Sequence, residues 1–470
     1  MKRFHILLTL LAAAGTAFGG FFPKQISEKS QECIDCHKDE DPGIYQQWGN
    51  SKHYRANVGC FECHEAKEGE PDAFKHQGEF ISIIVSPKDC GKCHEVEVKE
   101  LQESHHAKAA RILGSLDNIL ADIVEGNKGL KTAGFPGGVS AVAVNGCWQC
   151  HGSEVKTLAN GKLDDATWPN TGIGRINPDG SEGSCSACHA RHSFSAAQAR
   201  HPDNCGKCHL GPDHPQREVY EESKHGILFF SNEEAVNLHK EKWVVGEDYD
   251  TGPTCASCHM SATPNQPVTH DVGMRISWNN RPITSVRPEL SDKKLGLPTA
   301  DVDWETRRDN MKDVCINCHN ANYVDSFYVQ YDALVELYNQ KFGAPGKELM
   351  ALAKPMMKPQ PFSNHLDYIW FNIWHHEGRR SRHGAAMSAP DYTHWHGLYE
   401  VAWHFYHKMI PELEKLIKAN KGTQEAKALQ SKLDEILNSD NHKWFLGKLD
   451  PAEKAKRDKA REEFKKRYSK

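Results

Sequence analysis

Every cysteine of this chain falls in a Cys-x-x-Cys-His unit, and there are eight such units. They are Cys33/Cys36/His37, Cys60/Cys63/His64, Cys90/Cys93/His94 and Cys147/Cys150/His151, followed by Cys185/Cys188/His189, Cys205/Cys208/His209, Cys255/Cys258/His259 and Cys315/Cys318/His319. All sixteen cysteines are used in pairs, so none is left for a disulfide framework. Two thiols at this spacing can add to the two vinyl groups of one porphyrin. The adjoining imidazole then lies beneath the macrocycle and ligates its iron. One copy would also suit a redox dithiol or half a zinc site. Eight copies that exhaust the cysteines predict eight covalently bound haem c groups, with the eight unit histidines as proximal iron ligands.

Composition agrees with a core that is partly not protein. Mean hydropathy is −0.67 over 470 residues, which is polar for a chain of this length. Roughly 36 residues serve each unit between Cys33 and His319, too few to build ordinary layers around each cofactor. The porphyrins are expected to form much of the interior, with short helices and turns wrapped over them. Gly134-Phe135-Pro136-Gly137-Gly138, Pro178-Asp179-Gly180 and Gly211-Pro212 mark such turns. Strand-like alternation is scarce, with Phe80 to Val85 the best short candidate. A net charge of −5 makes no electrostatic case for nucleic acid.

The N-terminus reads as an export signal: Met1-Lys2-Arg3, an apolar run from Ile6 to Ala14, then Ala17-Phe18-Gly19. The run is too short to span a bilayer, and no later segment is apolar enough. Residues 1–19 are therefore expected to be a signal peptide and the mature chain periplasmic. The expected organisation is a haem-binding domain over 20–319 and a helical domain over 320–470. The last 151 residues hold no cysteine. There Val324, Phe327, Tyr331, Leu334, Val335 and Tyr338 form one helical stripe. Leu398, Val401, Ala402, Phe405, Met409, Leu413 and Leu416 form a second. Asp450-Pro451 with Glu453 predicts a capped terminal helix, rich in lysine and arginine and solvated. The fold class is mainly α: a multihaem cytochrome c with a helical C-terminal bundle and little β structure.

Twenty-eight histidines exceed what proximal ligation needs. Ser51-Lys52-His53, Ser104-His105-His106 and Ser223-Lys224-His225 follow a unit by 12 to 16 residues, and Ser381-Arg382-His383 repeats the tripeptide. His53, His106, His225 and His383 are candidate distal ligands, with His270 in Val268-Thr269-His270-Asp271.

Several segments resemble octahaem hydroxylamine oxidoreductase and, more distantly, the pentahaem nitrite reductases. They are Gly206-Lys207-Cys208-His209-Leu210-Gly211-Pro212-Asp213-His214-Pro215-Gln216, Ser223-Lys224-His225-Gly226, Cys258-His259-Met260 and Thr269-His270-Asp271. The likeness continues through His376-Glu377-Gly378-Arg379-Arg380 and Asp391-Tyr392-Thr393-His394-Trp395-His396-Gly397. It implies an active haem on the fourth unit, Cys147-Trp148-Gln149-Cys150-His151, with one open iron and the others closed by two imidazoles. The nitrite reductases usually carry lysine where this chain has His151, which argues against simple membership of that group.

The resemblance further implies His214 as the pocket histidine, Asp213 or Asp203 as its carboxylate partner, and His396 among the metal ligands. Tyr392 is the candidate for a tyrosine that cross-links to the catalytic macrocycle of a neighbouring subunit, with Tyr399 nearby. The implied activity is oxidation of hydroxylamine to nitric oxide or nitrite. The alternatives are a nitrite or hydroxylamine reductase without the cross-link, and a cytochrome that only transfers electrons. A homotrimer and a redox partner, either a small cytochrome or a quinol-linked one, follow from the same likeness.

Overall fold

The computed structural model describes residues 25–113, 116–125, 128–159, 161–280, 285–297 and 302–469. The expected signal peptide, 1–19, lies outside the described residues. The described chain is mainly α. Its named strands are Phe74–His76 and Glu79–Ile81, a two-stranded antiparallel hairpin in register Phe74↔Ile81. Gln77 and Gly78 turn it with φ of 48° and 93°, the two left-handed positions that a two-residue hairpin turn requires. Strand structure thus ends at Ile81, short of the Val85 suggested by the alternation.

From Ser27 to His319 the helices are short and joined by turns, as the spacing of the units demands. Small polar residues start them: Ser27, Ser51, Ser86, Ser195, Ser223 and Thr254 each accept a backbone N–H of the first turn. Apolar packing is local here. Tyr220, Phe229, Val236, Trp243, Tyr249 and Val314 belong to one buried cluster, while Ile84, Val155 and Leu163 form a small separate one.

The C-terminal part is built differently. Helix Ala321–Tyr338 is capped by Asn320, whose side chain accepts from Tyr323 N at 2.9 Å. It buries Val324, Tyr328, Tyr331, Val335 and Tyr338, a stripe at the expected spacing. Helical backbone then runs from His365 to Ala386 through a π-helical turn at Asn372–Glu377. A further run from Pro390 to Ala419 contains two such turns, at His394–Tyr399 and Phe405–Met409. Val401, Phe405, Met409, Ile410 and Leu413 from this run meet Leu429, Leu433 and Leu437 of helix Gln424–Asn438 in the largest buried cluster. Trp278 packs with Val324, Tyr328, Tyr331 and Val335, so the haem-binding part and the bundle share an apolar seam. The terminal helix Pro451–Tyr468 is capped by Asp450 as expected and buries no residue. No helix among the described residues is long and apolar enough to cross a membrane.

Candidate functional site

Two of the attachment units, the second and the seventh, are set on single turns of helix. In the seventh, Thr254 caps Cys255–His259, and its N–H donates to Ser257 Oγ at 2.9 Å. In the second, Gly59 N donates to Glu62 Oε2 at 2.8 Å ahead of Cys60–His64. One turn of helix brings the second cysteine and the histidine onto adjoining faces, which is what a Cys-x-x-Cys-His unit needs to reach one porphyrin.

Burial of the units by protein is uneven. Cys36, Cys93 and Cys318 are exposed, whereas the other thirteen cysteines are partly covered by protein. Cys36 stands in the exposed second half of helix Glu28–Glu40, whose buried residues, Ser30 and Ile34, lie in the first half. Cys93 opens onto the exposed run 92–97 at the start of helix Glu95–Glu103, which buries only Leu101. Cys318 differs in having Asp250 O at 3.9 Å from its sulfur.

Six unit histidines face a second histidine across a gap. Ring centroids are 6.1 Å apart for His37–His76, 6.4 Å for His64–His192 and 6.2 Å for His94–His53. The others are 6.4 Å for His189–His270, 6.0 Å for His209–His106 and 6.1 Å for His319–His225. Two imidazoles that each hold a nitrogen ~2 Å from a shared metal have centroids about 6 Å apart. The gaps therefore fit an iron between the rings. Burial lowers the pKa of His53, His192, His225 and His270, and brings His106 and His189 to about 4. These rings are held neutral, the form that ligates a metal. His76 and His192 were not among the expected ligands. Neither follows the Ser-x-His pattern: His76 sits on the hairpin, and His192 lies three residues beyond a unit it does not face.

Contacts between thiols show which units adjoin. Cys90 lies beside Cys185, Cys205 beside Cys255, and Cys150 beside Cys208. The third unit thus meets the fifth, and the sixth meets both the fourth and the seventh. Cys150 Sγ also lies 4.0 Å from Lys207 O, inside the sixth unit.

The loop that leaves the sixth unit carries Asp213 and His214. Arg217 N donates to His209 O at 3.0 Å and Gln216 N to His214 O at 2.8 Å, folding the loop back over its own unit. His214 lies 6.0 Å from His209, centroid to centroid, and its charge and that of Asp213 are felt at the Cys150 thiol. Asp213 Oδ1 is 2.5 Å from His214 Nδ1. Its other oxygen is 3.3 Å from Arg379 Nη1 and 3.9 Å from His375 Nδ1. Burial by itself would raise the Asp213 carboxyl. The hydrogen bond and charge of His214, with the charges of His375 and Arg379, instead hold it well below the usual carboxylate range.

His375 and Arg379 come from the π-helical turn at Asn372–Glu377 and the residues that follow it. Arg379 Nη1 is 3.2 Å from His375 Nε2, and the His375 ring stacks on Phe371 at 4.1 Å. Gly378 makes this possible: a Cβ there would collide with the Tyr338 ring, whose hydroxyl donates to Ile373 O at 3.0 Å. Both residues escaped the sequence reading, although Arg379 lies in the segment His376–Arg380 that carried part of the resemblance. No spacing rule links residue 213 to residues 375 and 379.

The remaining candidates are dispersed. Asp203 does not join the cluster. Its carboxylate is 61% exposed and accepts from Arg217 Nε at 2.8 Å. His383 is buried with Nε2 near Asn280 Nδ2 (3.0 Å), Arg382 Nη2 (3.0 Å) and Gln216 Nε2 (3.3 Å). His396 is half exposed, and its two ring nitrogens lie 3.0 Å from Glu400 and 3.5 Å from Asp391. Tyr392 packs 5.4 Å from the His396 ring, and its backbone N–H donates to Glu222 at 3.3 Å.

Comparison with known proteins agrees with this construction. A family model described as seven times multi-haem cytochrome CxxCH matches residues 179–336, and a cytochrome c554 and c-prime model matches residues 20–65. A probable nitrite reductase-hydroxylamine oxidoreductase fusion protein of Kuenenia stuttgartiensis is 25% identical over 345 residues, 63% of this chain. The match spans only about a third of that protein, 35% of its length. Among solved structures, a hypothetical multiheme protein is 26% identical with a TM-score of 0.71, covering 86% of this chain and 98% of its own. The reducing HAO-like protein complex of Kuenenia stuttgartiensis shares the fold, with a TM-score of 0.59, 19% identity, and 84% and 86% of the two chains covered. Attachment units, iron-sized gaps between buried imidazoles and these relatives converge on one likeness: the chain is similar to multihaem c-type cytochromes and to hydroxylamine oxidoreductase-like proteins.

Proposed function

We propose that this protein is a periplasmic octahaem oxidoreductase of nitrogen compounds, working at the fourth unit in the direction of hydroxylamine oxidation to nitric oxide or nitrite. The observation that carries the reading is the meeting of Cys150 with the sixth unit and with the Asp213–His214 pair. Bound haem supplies an iron for the substrate nitrogen at the fourth unit and a store for its electrons elsewhere.

The chain's own residues manage protons. Asp213, 2.5 Å from His214 Nδ1, favours the proton on that nitrogen and leaves Nε2 to take a proton from the N–H or O–H of substrate. Arg379 and His375 keep Asp213 ionised, so the proton stays on the imidazole and does not pass to the carboxylate. His76, His192, His53, His270, His106 and His225 are proposed to face the proximal histidines of units one, two, three, five, six and eight.

Tyr392 remains the proposed cross-linking tyrosine, delivered to a second copy in a homotrimer. Support for self-assembly comes from Trp395, Tyr399 and Trp403, which stand four residues apart on one helical run and are 55%, 53% and 42% exposed. The redox partner is proposed to be a small or quinol-linked cytochrome.

A second reading is reduction of nitrite or hydroxylamine without the cross-link. It draws on Arg379, a guanidinium at the pocket that suits an anionic substrate. Purified holoprotein separates the readings. Hydroxylamine-dependent reduction of an artificial acceptor, with a high-spin ferric signal, is expected. Reduction of nitrite at a much higher rate than hydroxylamine oxidation would favour the second reading. Wholly low-spin iron would overturn both and leave only electron transfer.

A further inference from the structure

Arg175 is 2% exposed, buried by protein atoms alone. It lies in the segment between the fourth and fifth units, which folds tightly on itself. Arg175 N donates to Gly172 O at 3.2 Å, and Gly183 N donates to Arg175 O at 2.8 Å. Its guanidinium donates from Nε to Asn177 Oδ1 at 2.7 Å, from Nη1 to Asn170 O at 3.2 Å and from Nη2 to Val85 O at 3.4 Å. All three acceptors are neutral, and no carboxylate lies within ion-pair distance among the described residues. Asp179 acts on it only through space, its carboxylate accepting from Ser86 and Ser181. The nearest aromatic face, Trp168 at 5.7 Å, is shared with a second cation, Arg191 at 5.9 Å.

The position is a junction of three attachment units. Val85 leads into helix Pro87–Cys90 of the third. Gly183 precedes Cys185 of the fifth by two residues. Gly152, next to His151 of the fourth, packs so closely on Arg175 N that a Cβ there would lie 2.5 Å away. The third and fifth units themselves touch through Cys90 and Cys185. Burial lowers the guanidinium only to about 10, so the charge persists at neutral pH. A buried cation whose protein acceptors are all neutral exerts a field that reaches much further than it would in water.

We propose that Arg175 raises the reduction potentials of the haem pair attached at the third and fifth units, so that electrons released at the fourth unit collect there. The step is simple electron gain: each ferric haem takes one electron, its net charge falls by one, and no bond or proton changes hands. The nearby guanidinium favours that more negative state. The shift in potential rests on haem attachment at these units, and the collection of electrons from the fourth unit rests on the function proposed above.

The test is a potentiometric titration of purified holoprotein, followed by absorption and by low-spin EPR, with haem content measured separately. In Arg175→Gln, which retains hydrogen-bond donors without charge, two of the transitions are expected to move to lower potential while the others stay. Arg175→Lys should restore them. Asn177→Asp sets a carboxylate against Nε and should produce the same shift without removing the arginine, which covers the case where Arg175→Gln fails to load haem. Unchanged potentials in Asn177→Asp or in fully loaded Arg175→Gln would overturn the proposal. So would a uniform shift of every haem, or an equal shift in Arg175→Lys. Because electrons come from the electrode mediators, the result is independent of whether hydroxylamine is oxidised.

Discussion

The Asp213 carboxylate holds His214 Nδ1 at 2.5 Å with one oxygen and Arg379 Nη1 at 3.3 Å with the other. Two residues adjacent in sequence are thereby tied to a helix more than 160 positions away. This arrangement leaves His214 Nε2 on the side away from the carboxylate, consistent with the proton-exchanging role proposed for it.

His214→Ala is expected to lower the rate of hydroxylamine turnover by about 10²–10⁴, the usual worth of a positioned acid–base group. Asp213→Asn should cost less, because Nε2 remains while its orientation is lost. Steady-state rates at equal haem content measure both. Equal losses in the two variants would contradict the division of roles.

Arg379→Gln removes one of the positive charges that hold Asp213 ionised. The Asp213 carboxyl should then rise toward its ordinary value, and the acid limb of the pH–rate profile should move to higher pH. The group is depressed in the native state, so the contribution of this pairing is present at neutral pH and lost as pH falls. A profile whose acid limb stays in place, with only its height changed, would assign Arg379 to substrate binding instead.

His442 is 1% exposed, its Nδ1 2.7 Å from the Tyr406 hydroxyl, and burial lowers its pKa to about 4. A histidine depressed in the folded state favours folding above its unfolded pKa near 6.5 and opposes it progressively as pH falls toward 4. The bundle is expected to lose on the order of 3 kcal/mol across that window. In His442→Phe the stability, followed by circular dichroism during denaturant titration, should vary less between pH 7 and pH 4.

Leu413 is fully buried where helix Ile410–Ala419 meets Gln424–Asn438. Leu413→Ala should destabilise the bundle by about 2–5 kcal/mol. Haem spectra are expected to be unaffected under native conditions, since this cluster contains none of the attachment units.

Trp395→Glu with Trp403→Glu should dissociate the proposed trimer, read by light scattering of the holoprotein. Persistence of the trimer would place the contact elsewhere on the surface.

The two helical stripes at Val324–Tyr338 and Leu398–Leu416 were legible because burial at a 3.6-residue period is a local pattern. The π-helical turns that interrupt the second run, and the one that presents His375, were not. An inserted residue leaves composition unchanged and alters only which face each side chain occupies. His105 and His106 illustrate the same limit. Both follow Ser104, yet His105 Nε2 is held by Asp292 at 2.6 Å while His106 turns toward His209.

Haem attachment is written within five consecutive residues, because two thiols and an imidazole must reach one porphyrin, and eight copies that use every cysteine declare it. The compartment expectation and the helical character of the C-terminal part are likewise short-range properties. Which histidine stands opposite a unit histidine is set by distance in space, as His64 and His192 show across more than a hundred residues. Only the folded chain decides which histidines stand about 6 Å apart and which are claimed by carboxylates. Only it, too, brings Arg379 to Asp213, since nothing in the intervening sequence encodes that separation.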